Sequence, residues 1–267
     1  MIPKKIVFPV AGLGTRFYPA TLVTPKELLP VNAKPLIQYA VEEALMAGVT
    51  DVIFITHPRK KLIEDHFRAL QSGKYHKFLS DQVADLLPKV RFHFIDQSAP
   101  KGLGHAVYLA QAMVHEEPFL LSLCDEFLVT SGDSCLEGML NMYRECRSSV
   151  VALTPVNKED VVHYGIAKEG PHGRITSMVE KPSMEAAPSN MAMIGRYLLS
   201  ARVFKHLQSS LGRDEGEVQL TGALNALIEE EVVRGYRYEG DRFDCGQSKG
   251  YLAANVFMGQ KHLQKEF

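Results

Sequence analysis

The chain has 267 residues, of which 46% are apolar and 23% are charged, so it can bury a large core and one domain is the default expectation. Lysine and arginine number 30 against 31 aspartate and glutamate residues, and the net charge of −1 gives no electrostatic reason to expect nucleic acid or an acidic membrane surface as a partner. No apolar stretch approaches the length of a membrane span, and Pro9 breaks the N-terminal apolar run, so we expect neither a membrane helix nor a signal peptide.

The four cysteines form no Cys-x-x-Cys pair and show no zinc-ligand spacing. They are Cys124, Cys135, Cys146 and Cys245. Unpaired thiols without metal spacing are typical of proteins kept in a reducing compartment. We therefore expect reduced cysteines and a cytoplasmic location.

Strand-like and helix-like patterns alternate through the first half of the chain. The predicted strands are Lys5–Val10, Asp51–Thr56, Val90–Ile95 and Phe119–Leu123. The predicted helices are Leu36–Ala47, Lys60–Leu70 and Gly104–Val114, and the segment between Leu70 and Pro88 is polar and helical at most. Apolar strands separated by helices indicate a parallel sheet that helices cover on both faces.

The periodicity changes after about Ser148, where strands follow one another with few helices between them. The strand candidates are Val150–Thr154, Gly165–Lys168, Ile175–Glu180 and Met191–Leu199, and helices are predicted from Ala201, over Val218–Val232 and from Lys249 onward. We predict an α/β fold with a doubly wound, mostly parallel, Rossmann-like mixed sheet and a small added β region. No linker stands out, so we expect one domain over 1–267, divided into halves of about 1–147 and 148–267.

The loop between the first strand and the first helix, Ala11–Pro30, carries the clearest functional signal. Glycines at a strand end let backbone N–H groups approach a phosphate, and Arg16 and Lys26 add positive charge. The spacing fits neither a P-loop nor a dinucleotide-binding glycine motif. Pro19 and Pro25 prevent a regular helix, which predicts a stiff, extended loop. A nucleoside triphosphate is the natural ligand, and an ordinary surface loop is the alternative.

Weaker signals follow at later strand ends. Gln97 precedes a second glycine-rich turn that contains Gly102 and His105, and Asp125 ends the fourth predicted strand. A carboxylate at a strand's carboxyl end is well placed to hold Mg²⁺. The ordinary alternatives are a helix cap or packing role for His105 and a turn role for Asp125. The Glu180–Lys181 pair could equally be an exposed turn.

The motif Gly12-Leu-Gly-Thr-Arg16, followed by Pro19, Thr21 and Pro25–Pro30, resembles the signature loop of the sugar-1-phosphate nucleotidylyltransferases. With Ala11 and the later motifs it is similar to the bacterial UTP–glucose-1-phosphate uridylyltransferases of that family. The resemblance runs from about Lys5 to about Tyr251. It implies transfer of a uridylyl group from UTP to glucose 1-phosphate with release of pyrophosphate, by in-line attack on the α-phosphate and with Mg²⁺ as cofactor.

The resemblance also implies a role for each matching residue. Catalytic roles fall on Arg16, Lys26 and Lys181; nucleotide binding on Ala11, Gly12, Gly14, Thr15, Gln97 and Gly102; sugar binding on Gly165, Glu180 and Asn190; and metal binding on Asp125 and Asp244. The N-terminal half then binds the nucleotide and the second half, with its added β region, binds the sugar phosphate. An amide such as that of Gln97 can donate and accept at once, which suits the edge of uracil.

Three positions depart from the pattern that the resemblance predicts. Cys124 stands where proline is common, Gly222 where aspartate is common, and Gln247 where asparagine is expected. Two alternatives therefore stay open: a non-catalytic, nucleotide-binding regulatory homologue, and a nucleotidylyltransferase for another nucleotide or sugar 1-phosphate. A homo-oligomer is compatible with the resemblance, although the short C-terminal tail puts the family's subunit contacts in question.

Overall fold

The structure is a computed structural model that describes residues 2–99, 101–211 and 216–266, with side chains up to residue 263. Within these residues the strands are β1 (Lys5–Pro9), β2 (Pro30–Val31), β3 (Lys34–Pro35), β4 (Asp51–Thr56), β5 (Arg91–Asp96), β6 (Phe119–Ser122), β7 (Glu126–Val129), β8 (Ser149–Pro155), β9 (Gly165–Glu169), β10 (Ile175–Glu180), β11 (Met191–Leu199), β12 (Val233–Arg237) and β13 (Asp241–Asp244). The α-helices are α1 (Leu36–Met46), α2 (Lys61–Gln71), α3 (Asp81–Leu86), α4 (Leu103–Leu109), α5 (Gln111–Val114), α6 (Cys135–Cys146), α7 (Val203–Leu211), α8 (Leu220–Glu230) and α9 (Ser248–Glu266).

One mixed sheet forms the centre of the molecule. Strands β5, β4, β1 and β6 lie side by side and parallel, and β11 runs antiparallel between β6 and β8. Strand β12 pairs parallel to β8, and the β9–β10 hairpin adds to the first residues of β11. The predicted mostly parallel, Rossmann-like sheet with an added β region is confirmed. Strands from both proposed halves share this sheet. The proposed division near residue 148 stays a prediction.

Strand alternation places an apolar layer on each face of the sheet. Ile6, Phe8 and Phe54 point to the face covered by α1, α2 and α6, whereas Val7 and Ile53 point to the face covered by α4, α7 and α8. All five side chains are fully buried. Burying each one contributes about 1.5–3 kcal/mol, which explains why continuous apolar runs form these strands.

The structure differs from the sequence-based elements in several places. Ala110 interrupts the predicted helix Gly104–Val114, so α4 and α5 are separate. The polar segment after Leu70 contains α3, which buries Val83 in the core. Six elements lie outside the sequence-based prediction: β2, β3, α6, β7, β12 and β13. Strands β7 and β13 are short and only partly buried, so they lack the apolar run by which longer strands are recognised.

Parallel pairing brings the loops that carry predicted site residues to one edge of the sheet. The chain leaves β1, β5 and β6 at the same edge, where Ala11, Gln97 and Asp125 follow. The Ala11–Pro30 loop contains two single turns of 3-10 helix, Thr15–Phe17 and Lys26–Leu28, and no α-helix, as its prolines predict. Among the described residues, no helix combines the length and apolar character needed to cross a bilayer.

Candidate active site

A cavity of about 490 Å³ opens at this carboxyl edge, between the parallel strands and the β9–β10 hairpin. Many of its lining residues are polar or charged. Six of the predicted site residues line it: Arg16, Asp125, Gly165, Glu180, Lys181 and Asp244. The fold therefore gathers into one cleft residues that are up to 228 positions apart in the chain, from Arg16 to Asp244.

Lys26 lies beside Asp125 and is held there by its neighbours. Its Nζ is 2.5 Å from Asp125 Oδ2. The next residue, Glu27, is buried and accepts hydrogen bonds of 2.9 and 2.8 Å from Lys60 Nζ, which also donates to the carbonyl of Val10 at 2.7 Å. Breaking a buried pair of this kind leaves an uncompensated charge, so the pair fixes the position of the loop that carries Lys26.

The Lys26–Asp125 pair keeps both groups ionised. Burial alone would lower the pKa of the Lys26 ammonium, but the negative charges of Asp125 and Glu27 outweigh this effect and raise that pKa above its ordinary value. Burial alone would raise the pKa of the Asp125 carboxyl, but the charge and hydrogen bond of Lys26 lower it. Asp125, which lines the cleft, is therefore an ionised carboxylate paired with the ionised ammonium of Lys26 at neutral pH. Lys26 itself is not among the residues that line the cleft.

The glycine loop packs closely over Lys26. Gly14 has a φ of +67°, and a Cβ on it would lie 3.1 Å from the Cβ of Lys26. Thr21 donates from Oγ1 to the Gly14 carbonyl at 2.7 Å, which holds the turn. Ala11 is buried, whereas Gly12 and Thr15 are exposed at the edge of the loop. Gly14 is thus required by both its backbone conformation and the close approach of Lys26.

Asp125 and Asp244 converge across Gly246. The position of a Cβ on Gly246 would be 3.0 Å from Asp244 Oδ1 and 3.2 Å from Asp125 Oδ2, so only glycine leaves the space between these oxygens open. Among the described residues no group of three or more His, Cys, Asp or Glu side chains could hold a metal alone. Two carboxylates fit Mg²⁺, which usually completes its shell with water and substrate phosphates.

Glu180 and Gly165 also line the cleft. Glu180 Oε2 accepts a 2.6 Å hydrogen bond from Thr221 Oγ1. A Cβ on Gly165 would lie 3.1 Å from Glu180 Oε2 and 2.2 Å from Met193 Cε. The missing side chain at Gly165 therefore leaves room for Met193 Cε and the Glu180 carboxylate, which occupy that space. The sugar-binding role of Gly165 stays a prediction.

Lys181 follows Glu180 with an unusual backbone. Its φ is +42°, and its N–H donates to the Tyr164 carbonyl at 3.0 Å. This turn carries the exposed Lys181 to the cleft. Asn190 lies elsewhere: its Nδ2 donates to the Val156 carbonyl at 3.3 Å, and it lines a neighbouring depression that shares Tyr164 with the main cleft. Its sugar-binding role stays a prediction.

Gln97 and Gly102 lie behind Leu103, which lines the cleft. Gln97 Nε2 donates to the Gly102 carbonyl at 3.2 Å and lies 2.8 Å from His105 Nδ1. Gly102 has a φ of +91°, and a Cβ on it would be 2.9 Å from the carbonyl oxygen of Val218. Nε2 thus faces both the Gly102 carbonyl and His105 Nδ1, and the nucleotide-binding role of Gln97 and Gly102 stays a prediction.

Sequence reasoning missed a charged group next to the carboxylates. Arg242 donates from Nε and Nη2 to Glu126 at 2.8 Å each, and its guanidinium lies 4.4 Å from the centre of the Tyr164 ring. Burial raises the pKa of Glu126 although Arg242 opposes this shift. Arg242 precedes Asp244 by two residues, but that spacing is visible as a signal only when β13 is known to be a strand.

Comparison with known proteins identifies the family of the chain. A family model described as "Nucleotidyl transferase" matches residues 6–261. The chain is 40% identical over 266 residues to a UTP–glucose-1-phosphate uridylyltransferase of Pseudomonas aeruginosa, with 95% of both chains covered. It is 38% identical to the enzyme of the same name from Bacillus subtilis, with 95% of this chain and 90% of the relative covered.

Solved structures give the same result. A UDP-glucose pyrophosphorylase complexed with UDP-glucose superposes with a TM-score of 0.89 at 37% identity, covering 97% of this chain and 99% of that one. A UTP-bound pyrophosphorylase from Acinetobacter baumannii gives a TM-score of 0.84 at 35% identity, covering 97% and 94%. The similarity thus extends over nearly the whole chain.

Proposed function

The chain belongs to the nucleotidyl transferase family, and we propose from this that it forms UDP-glucose and pyrophosphate from UTP and glucose 1-phosphate. The observation that carries the proposal is the arrangement of the cleft. Asp125, which pairs with Lys26, lines the same cleft as Asp244, Glu180 and Lys181. Two phosphorylated reactants need such a cleft, because their mutual repulsion must be balanced before they can react.

The reaction needs positioning and charge neutralisation more than covalent help. A phosphate oxygen of the sugar attacks the α-phosphorus of UTP, the bond from that phosphorus to the β-phosphate oxygen breaks, and pyrophosphate leaves. Arg16 and Lys26 would hold the triphosphate, and Lys181 would hold the phosphate of the sugar. Arginine suits forked contacts to phosphate, whereas lysine acts as a point charge.

Asp125 and Asp244 would hold Mg²⁺, since their oxygens converge across Gly246. The ion would supply positive charge to the phosphate oxygens. The Ala11–Thr15 loop, Gln97 and Gly102 would bind the nucleotide. Glu180, Gly165 and Asn190 would bind the glucose, with Glu180 accepting hydrogen bonds from its hydroxyl groups.

Two further expectations belong to this proposal. We place the enzyme in the cytoplasm, which the four free cysteines support. We also propose a homo-oligomer, and the support is a row of exposed apolar side chains on one face of α9. The row consists of Leu252, Val256 and Leu263, which are 64%, 52% and 57% exposed. Exposed apolar rows of this kind are typical of contacts between copies.

The main test measures pyrophosphate release with UTP, glucose 1-phosphate and Mg²⁺. We expect turnover in the native protein and a loss of roughly a hundredfold or more in Asp125→Asn, because the neutral amide neither holds a cation nor pairs with Lys26. Asp133→Asn, at an exposed loop position, is the matched control and should keep full activity. Unchanged turnover in Asp125→Asn would remove this residue from the site.

The non-catalytic alternative predicts nucleotide binding without turnover at high protein concentration. Two of the departures that motivated it, Cys124 and Gly222, do not obstruct the cleft. Cys124 is buried, and burial together with the charge of Glu27 raises its pKa well above the ordinary value, so it stays a neutral thiol. Gly222 is exposed and has open space around it. Binding with no pyrophosphate release would favour the regulatory homologue.

A further inference from the structure

The Gln97 side chain is fixed in a way that the proposed reaction does not explain. It is 5% exposed and lies where the chain leaves β5, at the same edge as the glycine loop. Its Nε2 faces two partners, the Gly102 carbonyl at 3.2 Å and His105 Nδ1 at 2.8 Å. Among the described residues its Oε1 has no hydrogen-bond partner. This oxygen is also not one of the unpaired side-chain atoms that are buried away from solvent in that part of the chain. This oxygen is therefore open to a ligand.

The Gly102 carbonyl decides which end of the amide faces inward. A carbonyl oxygen can only accept, so the amide atom 3.2 Å from it must be the donating nitrogen. That same nitrogen has a second hydrogen, which points to His105 Nδ1. His105 must then accept at Nδ1 and carry its own proton on Nε2. The carbonyl thus identifies the amide orientation and the His105 tautomer, and the Gly102 carbonyl and His105 Nδ1 together hold the amide by accepting one Nε2 hydrogen each.

The surroundings of His105 favour the neutral ring that this arrangement needs. Burial, and after it the positive charge of Lys101, lower the pKa of His105 below its ordinary value. His105 lies in the first turn of α4, whose backbone is tied by Gly104 N–H to the Val218 carbonyl at 2.7 Å. The ring is therefore held in place and available as an acceptor at neutral pH.

We propose that His105 selects the nucleobase indirectly: by accepting the second Nε2 hydrogen of Gln97, it acts together with the Gly102 carbonyl to hold Gln97 Oε1 outward as a pure acceptor. This inference rests on the proposed function, in which Gln97 contacts the base of the nucleotide. Uracil carries a donor at N3, whereas cytosine carries an acceptor there. A fixed acceptor therefore favours uracil over cytosine. His105 is a positioning residue, because it acts through Gln97 and does not itself contact the base.

The first experiment reads the tautomer and needs no catalysis. The protein is labelled with ¹⁵N, and the ring signals of His105 are assigned by their absence in His105→Asn. We expect a neutral ring at pH 7.5 with the proton on Nε2 and an unprotonated Nδ1. A proton on Nδ1 would overturn the proposal, since that nitrogen could then not accept from Gln97.

The second experiment measures the ratio of kcat/KM for UTP to kcat/KM for CTP at saturating glucose 1-phosphate. His105→Leu and His105→Phe lack the acceptor, so one Nε2 hydrogen loses its partner and the amide can turn toward the base. We expect the ratio to fall roughly five- to tenfold, about the worth of one hydrogen bond, mainly through a higher KM for UTP. His105→Asn keeps an acceptor near the Nδ1 position and should largely restore the ratio.

The outcomes separate the two proposals. If the native protein turns over neither nucleotide or shows no preference for UTP, the proposed function fails, while the tautomer is still decided by the ¹⁵N spectrum. If the native protein prefers UTP and the acceptor-free variants keep the full ratio, His105 only packs or caps its helix and the inference is overturned. His105→Phe preserves the ring volume, so a folding failure of the leucine variant still leaves a usable test.

Discussion

At the scale of single residues, the position of Glu180 depends on a residue whose role the sequence did not indicate. Thr221 lies in the first turn of α8, and its hydroxyl donates to Glu180 Oε2 at 2.6 Å. Among the described residues the other carboxylate oxygen has no hydrogen bond, so it remains free for a ligand. Thr221 thus orients the Glu180 carboxylate through this hydrogen bond.

We expect Thr221→Val to raise KM for glucose 1-phosphate by roughly three- to tenfold while changing KM for UTP little, because one net hydrogen bond is lost at the sugar end only. Steady-state kinetics with each substrate varied in turn measures both constants. Thr176→Val is the matched control. Its hydroxyl, on the exposed face of β10, donates to the Lys168 carbonyl at 3.1 Å. An equal rise of both KM values would place Thr221 in a general structural role.

At the scale of elements, the ribbon formed by β7 and β13 is what brings the two metal candidates together. The antiparallel register places Asp244 opposite Glu126, next to Asp125. Arg242 clamps the ribbon through Glu126 and lies against the Tyr164 ring, which precedes Gly165. One short ribbon therefore connects the proposed metal ligands Asp125 and Asp244 with Tyr164 and its neighbour Gly165.

Helix glycines in α4 and α8 have opposite surroundings although their helical conformation is similar. A Cβ on Gly222 in α8 would have no atom within 4 Å, whereas a Cβ on Gly104 in α4 would lie 2.7 Å from the Val218 carbonyl. A glycine in an open helix position costs stability through backbone entropy, while a glycine at a close contact is required by space. The same substitution should thus have opposite effects in the two helices.

We expect Gly222→Ala to raise the free energy of unfolding by about 0.5–1 kcal/mol. Gly104→Ala should lower it by about 1–3 kcal/mol, because the added methyl group forces the Val218 backbone away from α4. Urea denaturation of both variants and the native protein measures the two changes. Destabilisation by Gly222→Ala would show that this helix position meets a contact absent from the structure.

At the scale of the whole molecule, charged clusters mark both ends of the parallel sheet. Asp125 lies at the carboxyl edge, and Asp51 lies at the opposite edge, where β4 begins. Asp51 accepts from Arg91 at 2.7 and 2.6 Å and contacts His93 Nε2 at 3.1 Å. Burial alone would raise the pKa of Asp51, but these hydrogen bonds lower it.

This shift has a defined sign in the dependence of stability on pH. A carboxyl whose pKa is lowered on folding contributes fully above its unfolded pKa of about 3.9, and the contribution is lost as pH falls through the lower, folded pKa. We therefore expect native stability to be steady from about pH 8 to 5 as far as Asp51 is concerned. The Asp51 contribution should begin to fall near about pH 4 and vanish only below the folded pKa.

Thermal melting as a function of pH tests this expectation. Asp51→Asn should lower Tm at pH 7 and flatten the fall of Tm below about pH 4, because the carboxylate is no longer there to be protonated. Asp65→Asn, on the exposed surface of α2, is the control and should leave the acid limb unchanged. If Tm falls as steeply below about pH 4 in Asp51→Asn as in the native protein, the loss of stability belongs to other carboxyl groups.

Local patterns in the sequence were enough to predict the parallel strands, the stiff loop with Lys26 and the order of the motifs. Buried parallel strands are continuous apolar runs, and proline and glycine restrict the backbone wherever they stand. These properties depend on neighbours along the chain, so they can be recognised without the fold. The enzyme family followed from them because its loop motif is long and specific.

Only the tertiary structure decided which side chains meet. The Thr221–Glu180, Arg242–Glu126 and Gln97–His105 contacts join residues whose types are common and whose partners depend on sheet order and register. Strands β7 and β13 are stable because they pair with each other, not because of their own apolar content. Hydrogen bonds and charges act over a few ångströms, so their partners are set by folding and not by distance along the chain.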